Sequence, residues 1–188
     1  VKDLFLVIDM QTVYRPEEEW ACPRFKDGAK NIRKLLDSPL CGEKYDVIFT
    51  EFVAAETPVG RWENYNEAYK DINEDSRLSE IDDSLKPYLK RWPLYSKSTY
   101  SSLSIPEIAG VLPDYDSVVL SGVVAECCVV ATALALIDFG AHVTYLYDAV
   151  AGQNSENEEN IRKLIESFSP IHTKVCSTEE YIKTKSSE

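Results

Sequence analysis

The sequence predicts an α/β fold of three layers, α/β/α, built on a six-stranded, mainly parallel sheet. Two observations predict it. Short apolar runs alternate with segments of helical length along the chain. The runs are also continuous stretches of Val, Ile and Leu without in-out alternation, as in strands covered on both faces. The strands fall at Leu4–Asp9, Asp46–Phe52, Leu94–Lys97, Ser117–Gly122, His142–Asp148 and Ile171–Cys176. Helices are expected over Gly28–Leu36, Glu80–Leu89, Ile105–Leu112, Ala125–Phe139 and Asn157–Phe168. This alternation is Rossmann-like.

Local signals punctuate the pattern. Ser104 with Glu107 and Ser177 with Glu180 have capping-box spacing, and Gly140 stands where the long helix must stop before the fifth strand. Between Phe52 and Ser79 lie Pro58, Gly60, Trp62, Tyr65 and Tyr69 without a continuous period, which reads as an irregular insertion over the sheet edge. The tail Lys183–Glu188 reads as a frayed end. No repeat, linker or low-complexity segment divides residues 1–188, so one domain is expected.

Composition narrows the function. The 188 residues carry 20 Lys+Arg against 32 Asp+Glu, a formal net charge of −12, with no dense basic run to bind a nucleic acid. The first apolar stretch, Leu4–Ile8, is too short to span a membrane, so a cytoplasmic protein is expected with neither nucleic acid nor membrane as partner. A chain of this size buries roughly 70% of its unfolded surface and needs no disulfide or structural metal. Its five cysteines, Cys22, Cys41, Cys127, Cys128 and Cys176, show no C-x-x-C and no zinc spacing.

In an open parallel sheet, ligands bind beyond the carboxyl ends of the strands. That rule selects Asp9, Glu51 and Phe52, Lys97, the turn Gly122–Cys128 and Asp148. Taken singly, Asp9 reads as a turn carboxylate, Lys97 as a surface cation and Cys128 as a core residue. Together they bring an acid, a cation and a thiol to one crest, with the thiol at a helix start, where the dipole and free N–H groups favour thiolate. A carboxylate that moves a proton, a nucleophilic sulfur and nearby positive charge describe acyl transfer.

Three segments resemble those of the isochorismatase-like cysteine hydrolases, whose members include nicotinamidases and N-carbamoylsarcosine amidase. Leu4-Phe5-Leu6-Val7-Ile8-Asp9-Met10-Gln11 is similar to the family's apolar strand followed by Asp-x-Gln. Lys97-Ser98-Thr99-Tyr100-Ser101 carries its lysine. Gly122-Val123-Val124-Ala125-Glu126-Cys127-Cys128-Val129-Val130-Ala131-Thr132-Ala133 matches its Gly-Val-x-x-x-x-Cys-Val-x-x-Thr-Ala. The resemblance implies Asp9, Lys97 and Cys128 as catalytic residues, a non-proline cis peptide at Val123–Val124, and an oxyanion hole from the amides of Val124 and Cys128. It chooses Cys128 over Cys127, and because neighbouring helical residues point about 100° apart, Cys127 is expected to pack away from the crest.

The implied reaction is hydrolysis of a small amide or ureido C–N bond through a thioester. The nicotinamidase metal element Asp-x-His is replaced here by Glu51-Phe52-Val53, and His142 and His172 fall in later strands, so no metal and no cofactor are expected. Tyr14, Trp62 and Tyr100 are candidate pocket walls, and Arg61 is a candidate grip for a substrate carboxylate. The helix 125–139 is apolar around nearly its whole circumference, which suggests a homo-oligomer, dimer or tetramer, formed through it. Two other readings are weighed. A haloacid-dehalogenase-type phosphatase lacks its second carboxylate in Asp9-Met10-Gln11-Thr12-Val13. A non-catalytic redox-sensing or binding module would use the Cys127/Cys128 pair as its switch.

Overall fold

The computed structural model describes residues 2–188. Six strands, β1 (Lys2–Ile8), β2 (Tyr45–Phe52), β3 (Leu94–Lys97), β4 (Tyr115–Val123), β5 (His142–Ala151) and β6 (Thr173–Cys176), form one all-parallel sheet in the order β3-β2-β1-β4-β5-β6. The central strand β1 explains why continuous apolar runs were needed. Leu4, Leu6 and Ile8 pack on one face with α5 (Pro106–Val111), α6 (Val130–Phe139) and α7 (Ser155–Glu166). Phe5 and Val7 pack on the other with α1 (Phe25–Leu36) and α8 (Thr178–Ser187). Each buried Leu, Ile or Phe contributes roughly 1.5–3 kcal/mol. Helix α1 shows the matching pattern, with Phe25, Ala29, Ile32 and Leu36 buried along one stripe.

Several expectations about local structure are corrected. The insertion after β2 is helical in part: it forms α2 (Arg61–Ala68), α3 (Lys70–Glu74) and α4 (Ser76–Ser79). The segment Glu80–Leu89 is not an α-helix. Residues 79–82 are held along residues 10–12 (Thr12 N to Glu80 O, 2.9 Å; Asp82 N to Met10 O, 2.8 Å), and only a 3-10 turn, Lys86–Lys90, follows, with Pro87 offering no backbone donor. Ser104 does not cap α5. Pro106 takes the first helical position, which makes the extended Ile105 the N-cap and leaves the Ser104 hydroxyl donating to Ser101 O.

The C-terminal end is a docked helix. Ser177 and Glu180 form a full capping box on α8, the Tyr181 hydroxyl donates to Asp3 Oδ2 at 2.8 Å, and Lys185 Nζ lies 3.1 Å from the same buried oxygen. Gly140 ends α6 in the left-handed region (φ 95°), with its own amide and that of Ala141 bonded to Ile137 O and Leu136 O. Among the described residues, no helix is long and apolar enough to cross a membrane.

Candidate active site

The strand order places the site. From β1 the chain builds outward through β2 to β3, then returns to the other side of β1 as β4, so the crest between β1 and β4 is the point where the order reverses and loops splay apart. Asp9 follows β1 and the Gly122–Cys128 turn follows β4. The two strands approach closely at Gly122 (φ 109°), where a Cβ would collide with Ile8 O, so no other residue fits. Lys97 ends β3, two strands from β1, a span of roughly 10 Å at the usual strand spacing that only a long side chain bridges.

These elements bring the three predicted residues together. Asp9, at φ 50°, is fully buried and its side chain turns to accept from Thr50 Oγ1 (2.7 Å) and Lys97 Nζ (2.6 Å). Lys97 Nζ also donates to Thr99 O (3.2 Å) and lies 3.5 Å from Cys128 Sγ. The Val123–Val124 peptide is cis, and a single π turn, Ala125–Val129, carries Cys128 into α6. The turn is closed by Val129 N bonding to Val124 O at 3.2 Å. Thr132 fixes it from below: its hydroxyl donates to Cys128 O (2.7 Å) and accepts from Ser102 N (2.9 Å).

Electrostatics set the resting proton positions. Burial and then the negative charge of Asp9 push the Cys128 thiol well above its ordinary range, against the opposing pull of Lys97. Burial works against the Lys97 ammonium, but Asp9 and Cys128 together outweigh it and raise the lysine, which stays charged. These shifts oppose the thiolate that the helix start favours. A thiol faces a carboxylate and an ammonium, and ionising the sulfur requires its proton to leave.

Cys128 opens on a cavity of ≈ 140 Å³ whose wall is aromatic: Tyr14, Trp20, Phe52, Tyr65, Tyr69 and Tyr100, with Val124, Cys127 and Gln153 completing it. Tyr14 and Tyr100 line it as expected. Trp62 stands one layer back, its ring 4.9 Å from Tyr100 and 6.1 Å from Phe52. Arg61 is exposed at the start of α2, 3.5 Å from Asn64 Oδ1, and does not reach the cavity. Cys127 does reach it, because the π turn spaces successive side chains differently from an α-helix.

Two positioning residues escaped the sequence reading. The buried Gln11 donates to Phe52 O (2.9 Å) and Ser79 O (2.8 Å) and accepts from Phe52 N (2.8 Å), pinning both ends of the insertion beside Asp9. Glu126 Oε1 accepts from Gln153 N (3.0 Å) and Asn157 Nδ2 (2.6 Å), holding the 152–153 loop against the cysteine turn. The aromatic wall left one legible trace, since Trp62, Tyr65 and Tyr69 recur at i, i+3 and i+7. Elsewhere, Glu51 accepts from Ser96 Oγ (2.7 Å), and His142 lies 3.3 Å from Ser117 Oγ at the start of β5, the end of the sheet away from the crest. Among the described residues, no three His, Cys, Asp or Glu side chains cluster closely enough to hold a metal ion.

A family profile described as the Isochorismatase domain matches residues 3–180. The chain belongs to the isochorismatase family. Solved structures of similar fold include a cysteine hydrolase from Pseudomonas syringae pv. phaseolicola, with TM-score 0.81, 19% identity, and coverage of 99% of this chain and 93% of that one. An isochorismatase-like hydrolase from Alkaliphilus metalliredigens aligns with TM-score 0.77 and 19% identity over 98% and 99% of the two chains. An N-carbamoylsarcosine amidase from Thermoplasma acidophilum aligns with TM-score 0.73 and 18% identity over 95% and 98%. No curated protein sequence matches this chain. The family membership makes the chain an isochorismatase-like hydrolase by fold.

Proposed function

We propose that this isochorismatase-family chain hydrolyses a small amide or ureido C–N bond with Cys128 as nucleophile. The observation that carries the reading is Lys97 Nζ lying 2.6 Å from Asp9 and 3.5 Å from a Cys128 sulfur that opens on the cavity. Asp9 takes the thiol proton as sulfur bonds to the carbonyl carbon, which overcomes the raised thiol without a standing thiolate. The tetrahedral oxyanion is held by the amides of Val124 and Cys128, with the Lys97 charge close by. Collapse breaks the C–N bond, and the leaving amine carries off the proton held by Asp9. Water then gives a proton to Asp9 and its oxygen to the thioester carbon; the C–S bond breaks, and Asp9 returns the proton to sulfur.

The buried Asp9–Lys97 pair supports the proton shuttle, because the 2.6 Å contact fixes the Asp9 side chain beside the sulfur that Lys97 also reaches. The chain is also proposed to self-associate through α6, whose outward Leu134 and Phe139 are 38% and 50% exposed. A monomer at micromolar concentration in sedimentation would remove that part. For the chemistry, small amides and ureido acids are screened for ammonia or amine release with Cys128→Ala as control. Turnover absent from the variant supports the reading, and equal turnover in both proteins ends it.

A further inference from the structure

The cavity above Cys128 has a composition that speaks to the charge of its ligand. Its wall is built from the aromatic residues Tyr14, Trp20, Phe52, Tyr65, Tyr69 and Tyr100, and none of its lining residues is Lys, Arg or His. Lys97 is committed to Asp9, Thr99 O and the sulfur, and Arg61 lies outside, so nothing at the wall is placed to pair with a substrate carboxylate.

Ring geometry narrows the choice further. Trp20 meets Tyr69 at 88° with centroids 5.4 Å apart, Tyr65 meets Tyr100 at 89° and 6.4 Å, and Tyr65 meets Tyr69 at 56° and 4.8 Å. Tyr14 and Trp20 lie 36° apart, but the other rings meet at steep angles, and steeply angled rings form the corners of a box that suits a rounded group better than the parallel plates of offset stacking. The ring faces are electronegative and attract cations. Burial pushes the phenols of Tyr14, Tyr65 and Tyr100 up, so they stay neutral. At the mouth, Tyr69 and Tyr100 are 39% and 37% exposed, which leaves a charged group there partly hydrated and spares it full desolvation.

We propose that the cavity takes an amide or ureide whose remote end is a tertiary or quaternary ammonium, boxed by Trp20, Tyr65, Tyr69 and Tyr100 while its carbonyl faces Cys128. The proposal rests on the reading of this cavity as the substrate pocket, but its test needs no chemistry. Choline, its uncharged isostere 3,3-dimethylbutan-1-ol, the anionic 3,3-dimethylbutanoate and the flat benzyl alcohol are titrated by calorimetry into the wild-type chain and into Cys128→Ala.

The expected result is choline binding at least tenfold tighter than each of the other three, to both proteins. Trp20→Leu and the half-exposed Tyr69→Leu each weaken choline at least fivefold, while Tyr69→Phe, which keeps the ring, retains it. Should Trp20→Leu fail to fold, the Tyr69 pair decides. Equal binding of the uncharged alcohol, preference for the anion or the flat ring, absence of choline binding, or a Tyr69→Leu variant that binds like wild type overturns the proposal. Choline binding without amide turnover by any substrate would sink the hydrolase reading and leave the ammonium box standing.

Discussion

Lys97 Nζ sits 2.6 Å from Asp9 Oδ2 across two strands, with both side chains fully removed from solvent. A pair so buried is sensitive to loss of either member, because the survivor is left as an uncompensated charge. Lys97→Met is expected to lower the urea midpoint by the equivalent of about 3–5 kcal/mol. A midpoint within about 1 kcal/mol of wild type would show that the pair is not the buried unit described.

The same pair steers the Cys128 thiol in opposite directions, and alkylation can separate the two effects. Asp9 pushes the thiol up and Lys97 pulls it down. Asp9→Asn is therefore expected to speed iodoacetamide modification of Cys128 at pH 8, and Lys97→Met to slow it, as read by peptide mass spectrometry. Under the proposed mechanism both variants lose at least about 10²-fold in amide hydrolysis, Asp9→Asn because the general acid–base is removed and Lys97→Met because positive charge near the oxyanion is removed. Faster alkylation in Asp9→Asn together with slower alkylation in Lys97→Met is a signature that general loosening would not give, because loosening would speed labelling in both variants.

Stability is expected to fall on the alkaline side. Cys128 is raised well above the ordinary thiol value and Cys176 to about 11, both chiefly by burial. Above about pH 9 the unfolded chain releases these protons while the folded chain keeps them, so the unfolded state binds fewer and stability drops with pH. Lys97 adds to the loss: its folded value is raised, so its contribution is complete below about pH 10.5 and disappears as pH climbs through the folded value. Urea midpoints taken from pH 7 to 11 should decline from about pH 9, and Cys128→Ala should flatten the first part of that decline. A flat profile in the wild type would contradict the buried thiols.

The sequence revealed most where backbone and chemistry are local. The alternation of short runs with helical segments marked all six strands, Gly140 marked the end of α6, and the resemblance of the Gly122–Ala133 segment to its family motif picked Cys128, the sulfur that faces Lys97. What was missed depends on distant partners. Trp20 joins the wall only because Tyr65 and Tyr69 of the insertion fold back against it, and Gln11 acts through Phe52 and Ser79, 41 and 68 residues away. The tail looked frayed because its anchor, Asp3, lies at the opposite end of the chain.

That last misjudgement yields a test of its own. Asp3 is 2% exposed and receives both Tyr181 Oη and Lys185 Nζ, so α8 covers a buried carboxylate as well as packing Tyr181 against Tyr45 at 5.8 Å between centroids. Tyr181→Phe keeps the ring contact and removes one hydrogen bond to a charged acceptor, worth about 1.5–3 kcal/mol. Tyr181→Ala also forfeits the buried ring, for a total of about 3–5 kcal/mol. A frayed tail would predict no change in either. Thermal or urea unfolding of the two variants should therefore give a graded loss, Ala worse than Phe, with Lys185→Ala milder than Tyr181→Ala because its amine is partly solvated. If all three unfold with the wild type, the last helix does not anchor on the start of β1 as the packing indicates.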